Sequence, residues 1–197
     1  MIWYTADTHI GHRNILTFTG RPYQSVEAMN EAIVSSWNSV VGDEDTVFIL
    51  GDFALCGATM TRAIISRLRG HKILVRGNHD CRKRNWYINA GIENVVVSTA
   101  ENPYRQWWSA GWVWISHYPF RPRWWDILCL ALSDWMSLRH INRLIPEDGN
   151  FLVHGHVHQR WATKRRMFNC GWDIHHRPVS RAEIENWMRK RVLEERC

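Results

Sequence analysis

Five short apolar runs in this chain end alike, in a polar cluster rich in Asp, Asn or His, and no other feature restricts the fold so tightly. Residues 2–6, 47–50, 73–75, 112–115 and 151–153, with 95–97 as a sixth run, are rich in β-branched and aromatic side chains and bounded by polar or Gly positions. Runs of this kind read as buried strands. Asp7-Thr8-His9 follows the first, Gly51-Asp52 the second, Gly77-Asn78-His79-Asp80 the third, His117 the run at 112–115, and His154-Gly155-His156-Val157-His158 the last. In α/β sheets ligands bind beyond the carboxyl ends of strands, so these distant groups are expected to converge on one crevice.

Helical patterns lie between the strands. Val26, Met29, Ile33, Trp37 and Val40 repeat at three and four behind Ser25, a residue type that caps helix starts. A second pattern covers 61–69 and stops at Gly70, and a closing helix opens on the capping-box pair Ser180 and Glu183, with Ile184, Trp187 and Met188 turned inward. Strand and helix in alternation predict an α/β fold. Between 124 and 145 the stripe Leu128, Leu132, Trp135, Leu138, Ile141 and Ile145 predicts an amphipathic helix or helix pair. It reads first as a lid or side helix packed on the core, with a dimer face or membrane-surface contact as the alternatives. The 197 residues suit a single domain, 1–197, carrying that segment as an insert.

Composition narrows the classes. With 45% hydrophobic and 22% charged residues, disordered and fibrous chains are excluded. The net charge of +6 suits an anionic ligand without resembling the dense basic tail of a dedicated nucleic-acid binder. Five cysteines with no C-x-x-C spacing argue against a disulfide framework and a thiolate zinc site. The first residues lack a signal-peptide pattern and no run approaches the ~20 apolar residues of a membrane span, so a cytoplasmic location is expected.

Asp7, His9, Asp52, Asn78, His117, His156 and His158 offer mixed nitrogen and oxygen donors, a set that suits manganese, iron, zinc or nickel. They are too many for one tetrahedral ion and about right for two ions sharing a carboxylate. In this order after successive strands, D-x-H, G-D, G-N-H-D, H and G-H-x-H resemble the motifs of the calcineurin-like metallophosphoesterase superfamily, from Asp7 to His158. The resemblance implies a four-layer α-β-β-α sandwich with a dinuclear site at the carboxyl ends of the strands. It implies that Asp7, His9 and His158 hold one metal and Asn78, His117 and His156 the other, with Asp52 bridging them. Two divalent or trivalent transition-metal ions are then expected, manganese or iron first and zinc, nickel or cobalt as alternatives. His79 is left as the proton donor to the leaving group, with Asp80 orienting it.

Departures from the family pattern narrow the substrate. The protein-phosphatase branch carries G-D-x-x-D-R-G, whereas residues 51–57 read G-D-F-A-L-C-G, which disfavours a phosphoprotein substrate. The compact chain resembles the small bacterial and phage phosphodiesterases, which implies a hydroxide attacking small nucleotide-like diesters, cyclic nucleotides (2′,3′-cyclic included) and aryl diesters. His12, Asn14, Tyr118 and Arg121 lie on loops beside the motifs and are candidates to meet substrate. Trp112 and Trp114 alternate in one strand and are expected on one face, for core packing or for base stacking. His154 is expected just outside the ligand set, and His71, His140, His175 and His176 at the surface. Competing readings are a nuclease on single-stranded nucleic acid and a non-catalytic scaffold on the same fold, either of which could be a homodimer.

Overall fold

In the computed structural model, which describes residues 1–121 and 144–196, the first strand already divides the interior in two. β1 (Ile2–Thr5) turns Trp3 and Tyr4 to opposite sides, as a period of two requires, and each joins a different apolar cluster. β1 pairs in parallel with β2 (Thr46–Ile49), β2 with β3 (His71–Val75), and β3 with β4 (Asn94–Val96). Such strands are covered on both faces, which is why they are continuously apolar in sequence. The second sheet runs in the order β5 (Arg105–Trp108), β6 (Gly111–Ile115), β7 (Phe151–His154), β9 (Met167–Asn169), β8 (Thr163–Lys164). Its middle strands β6, β7 and β9 are parallel and its edges antiparallel. β10 (Val179–Ser180) closes the first sheet antiparallel to β1.

Three clusters fix the layers. Trp3, Val47, Ile49 and Leu74 pack against Met29, Ile33 and Trp37 of α2 (Val26–Asn38), Ile64 of α3 (Ala58–Ile65) and Tyr87 of α4 (Arg84–Ala90). Tyr4, Phe48, Leu50 and Val75 meet Val113, Ile115, Val153 and Phe168 between the sheets, joined by Ile184 and Met188 of the closing helix. On the outer face of the second sheet Trp114, Leu152 and Met167 pack with Phe120 and Ile145. Helices, sheet and sheet thus stack as the α/β sandwich expected. The helical layer expected over 124–145 falls within residues 122–143, outside the described residues, apart from Leu144 and Ile145, which are buried.

The remaining helices are the short α1 (Ile15–Phe18), α5 (Trp172–His175) and the closing helix α6 (Arg181–Glu194). Ser25 Oγ accepts from the Ala28 amide at 3.1 Å, as its place before α2 predicts. The helix expected over 61–69 stops at Ile65, because the next bonds, Arg67 N to Ile64 O and Leu68 N to Ile65 O, close turns of three residues. Trp112 and Trp114 do share a face, both lying against the Arg105 guanidinium. His71 is at the surface, paired with Glu93. His175 is not a free surface residue: its ring stacks on Phe168 and Nε2 meets the Asn169 carbonyl at 2.9 Å. Among the described residues no helix is long and apolar enough to cross a membrane.

The capping box of α6 is complete, and Arg177 adds an ion pair of 2.6 Å to Glu183. That hydrogen bond leads the causes holding the Glu183 carboxyl at about 2, below its usual 4.5. A depressed carboxyl stabilises the fold above its unfolded value and loses that contribution as pH falls through the folded one. Glu183→Gln should therefore lower the unfolding free energy at pH 7 by about 0.5–1 kcal/mol, the ion pair being screened at a half-exposed site. In urea titrations the gap to wild type should narrow from pH 4.5 downward; a constant gap would contradict this account.

Candidate metal centre

Five residues of the candidate set adopt left-handed backbone: Asp7 (φ 56), His9 (φ 50), Asp52 (φ 52), His156 (φ 71) and His158 (φ 48). For residues with a Cβ this conformation costs on the order of 1 kcal/mol or more, so neighbouring contacts must hold it. The contacts are present. Beyond the ends of β1 and β2, Asp7 N donates to Gly51 O, His9 N to Asp52 O and Ile10 N to Phe53 O, at 3.0, 3.0 and 2.9 Å. The two strands thus stay zipped while their backbones coil. Asp80 joins the third loop to them, its buried carboxylate accepting from the amides of Asp52 (2.7 Å), Gly77 (2.8 Å) and Phe53 (3.3 Å). A Cβ on Gly77 would collide with the Asp52 carboxylate, and one on Gly155 with that of Asp7. Only glycine lets these loops approach so closely.

The side chains gather in two groups. Asp7, His9 and His158 each bring a donor atom within 4.8 Å of the others, as do Asp7, Asp52 and His117. Around His117 Nε2 lie Asn78 Oδ1 at 2.9 Å, His156 Nδ1 at 3.2 Å and Asp52 Oδ2 at 3.5 Å. His117 Nδ1 lies 2.8 Å from the Leu50 carbonyl; donating there leaves Nε2 as the inward nitrogen. Asp7 belongs to both groups, yet its Oδ2 accepts from His156 N at 2.8 Å. Asp52 Oδ2 lies 3.8 Å from His9 Nε2 as well as beside His117, so it too reaches a ring of each group.

Charge and burial fit cations. Asp7 Oδ1 and both ring nitrogens of His9 are buried without a hydrogen-bond partner among the described residues, an uncommon state for polar atoms. Burial, opposed by His158, pushes the Asp7 carboxyl up to about 8, and burial together with His158 and Arg21 holds His9 well below its usual range. Unpartnered neutral imidazole beside a destabilised carboxylate is relieved by a bound cation, and nitrogen with oxygen donors suits a transition-metal ion.

The other candidates divide. His79 sits at the rim, its side chain 46% exposed, with Nε2 4.0 Å from Asp52 Oδ2. The His12 ring is 5.5 Å from that of His9, so it too joins the centre. Asp80 does not reach the His79 ring, because its carboxylate is committed to backbone amides. Tyr118 is buried, its ring edge-on to His117 and His156 at 4.9 and 5.0 Å. Asn14 is exposed at the start of α1, and among the described residues no hydrogen bond, ion pair or ring contact joins its side chain to the centre. Arg121 is exposed, its amide bonded to the Ile145 carbonyl. His154 is fully buried and pushed down to about 3 by burial, its ring against Trp161.

Two residues have no motif to announce them. Asp173 Oδ2 lies 2.6 Å from His158 Nδ1, which leaves Nε2 as the other ring nitrogen. The buried Arg21 guanidinium donates to both Asp173 oxygens at 2.7 and 3.2 Å, to the Thr8 carbonyl at 2.7 Å and to the Asp7 carbonyl at 2.6 Å. One cation thus braces the coiled Asp7-Thr8-His9 segment and the carboxylate that orients His158. Arg21 with His158 holds Asp173 below the usual carboxylate range against burial.

The family model for calcineurin-like phosphoesterases matches residues 1–190. The chain is 33% identical to the gene 66 protein of Mycobacterium phage L5 over 92% of this chain and 91% of that one. It is 41% identical to an uncharacterised protein of Methanocaldococcus jannaschii over 40% of this chain, a match spanning only 46% of that protein. A solved structure from Aquifex aeolicus shares the fold at a TM-score of 0.65 and 24% identity, over 95% of this chain and 98% of that one. Asp173→Asn should weaken metal retention by about 10–100-fold, measured as metal content after dialysis against graded chelator. Unchanged retention would mean that Asp173 does not orient His158.

Proposed function

The chain belongs to the calcineurin-like phosphoesterase family of metal-dependent phosphoester hydrolases, and from that premise we propose a phosphodiesterase acting on small nucleotide-like diesters. The substrates of this reading are cyclic nucleotides, 2′,3′-cyclic ones included, and aryl diesters. One observation carries it: two donor groups from different loops share Asp7, and Asp52 Oδ2 lies within 4 Å of a ring nitrogen in each, 3.8 Å from His9 and 3.5 Å from His117. In this reading Asp7, His9 and His158 hold one ion, Asn78, His117 and His156 the other, and Asp52 both. Manganese or iron fits such donors. Two ions held there would supply Lewis acidity, lowering the pKa of water and offsetting charge on the phosphoryl oxygens.

The protein's own groups complete the chemistry. Asp52 Oδ1 accepts from the His79 amide at 2.8 Å, which fixes the rim loop relative to the centre. In this reading the exposed His79 ring gives its Nε2 proton to the leaving oxygen as the P–O bond breaks, while a hydroxide oxygen bonds to phosphorus. His12, beside His9, completes the rim. A cytoplasmic setting belongs to the same reading, and Cys56, Cys81 and Cys170 are free thiols.

Asp52→Ala should lose both ions on dialysis. His79→Ala should keep them while slowing diester hydrolysis by about 10²–10⁴-fold, least for a p-nitrophenolate leaving group, which needs no proton. Loss of both ions from His79→Ala would overturn its role as acid.

A further inference from the structure

The short helix α1 ends on an aromatic ring that stays in water: Phe18 is 71% exposed. A lone exposed apolar side chain is ordinary, so its position decides whether it matters. Phe18 stands edge-on to the His12 ring at 6.2 Å, and the His12 ring is 5.5 Å from that of His9 in the candidate centre. His9 also lies 5.5 Å from the His79 ring, so the two rim imidazoles share it as a neighbour. Rings thus lead outward from the centre to Phe18.

The helix is held on both sides. Ahead of it, Gly11 N donates to Asn30 Oδ1 at 3.0 Å, His12 N to His9 O at 3.0 Å and Ile15 N to His12 O at 3.2 Å, while the Ile15 side chain is buried in the core. Behind it, the Thr19 carbonyl accepts from Gln159 Nε2 at 3.2 Å, and Gln159 directly follows His158. The rings of His9 and His158 are themselves stacked, 5.3 Å apart. α1 is therefore pinned between the loop that carries His9 and the turn that carries His158, and its exposed ring is held beside the first donor group by bonds made elsewhere.

We propose that Phe18 is a specificity-determining residue, a shelf on which the flat ring of the diester, nucleobase or aryl, lies while the phosphoryl group meets the centre. Aromatic stacking accepts any base, because every base has a π-face. In a 2′,3′-cyclic nucleotide the leaving oxygen stays on the sugar that bears the base, so one shelf serves whichever P–O bond breaks. This rests on the phosphodiesterase reading above and names a residue that selects its substrate.

The test compares manganese-loaded wild type, Phe18→Ala and Phe18→Trp. The substrates are 2′,3′-cyclic AMP, methyl riboside 2′,3′-cyclic phosphate, which keeps the reacting ester and lacks the base, and methyl p-nitrophenyl phosphate. For wild type, KM should be about tenfold lower with the base than without it, about 1.4 kcal/mol, and kcat alike. Phe18→Ala should lose most of that ratio and Phe18→Trp restore it, a rescue that a structural role would not give. Loss with cyclic AMP alone assigns the shelf to nucleobases, a several-fold rise in KM for methyl p-nitrophenyl phosphate alone assigns it to aryl rings, and both together assign it to either. If Phe18→Ala changes neither the base ratio nor the aryl KM, the shelf is refuted while the phosphodiesterase reading stands. If no diester is cleaved, that reading fails, and calorimetric titration of the intact cyclic AMP and its abasic counterpart still decides the shelf: a base preference absent from wild type, or kept by Phe18→Ala, refutes it.

Discussion

Aspartate has two oxygens, and the arrangement of this centre depends on using them differently. Asp7 gives Oδ2 to the His156 amide and Asp52 gives Oδ1 to the His79 amide, each bond fastening a neighbouring loop. Asp7 Oδ1 and Asp52 Oδ2 remain turned toward the imidazoles. A carboxylate at these positions therefore both staples the loops and faces the centre, and Asn would offer only one oxygen. Asp80 is entirely a staple, accepting from three amides. The left-handed backbone at five candidate residues is tolerated because these bonds surround it.

The legible part of this architecture lay in strand ends. Each predicted strand forms, because β-branched and aromatic runs closed by polar residues specify a buried parallel strand almost regardless of context. α2 and α6 were legible from Ser25 and from the Ser180–Glu183 pair, whose capping bonds are local. β8 and β10, of two residues each, were not, since so short a strand exists only through its neighbours. β5 reads Arg-Gln-Trp-Trp, with no alternation to betray it.

Within the site, residues spaced inside a motif were legible and residues that support it from afar were not. Arg21 follows a loop glycine, and Asp173 sits in a helix of four residues, where the D-x-H spacing with His175 misleads because the His175 ring turns to Phe168 and the Asn169 carbonyl. Their relation appears only once 152 positions are folded together. Asp80 was legible as important, but its bonds to the amides of Asp52, Phe53 and Gly77 were not, because spacing cannot tell which way a carboxylate faces. Tyr118 and Asn14 follow the same rule: proximity in sequence to His117 or His9 brought one against the candidate rings and left the other exposed.

The bond from His156 to Asp7 spans 149 residues, and the brace from Arg21 to Asp173 spans 152. Neither end of the centre exists while the chain is still emerging from a ribosome, since the first motif must wait for the turn after β7 and for Asp173 beyond it. Contacts of such sequence separation also fold slowly. Nascent protein therefore offers scattered, weakly competing donors, and capture of an ion becomes a late event that the finished fold controls.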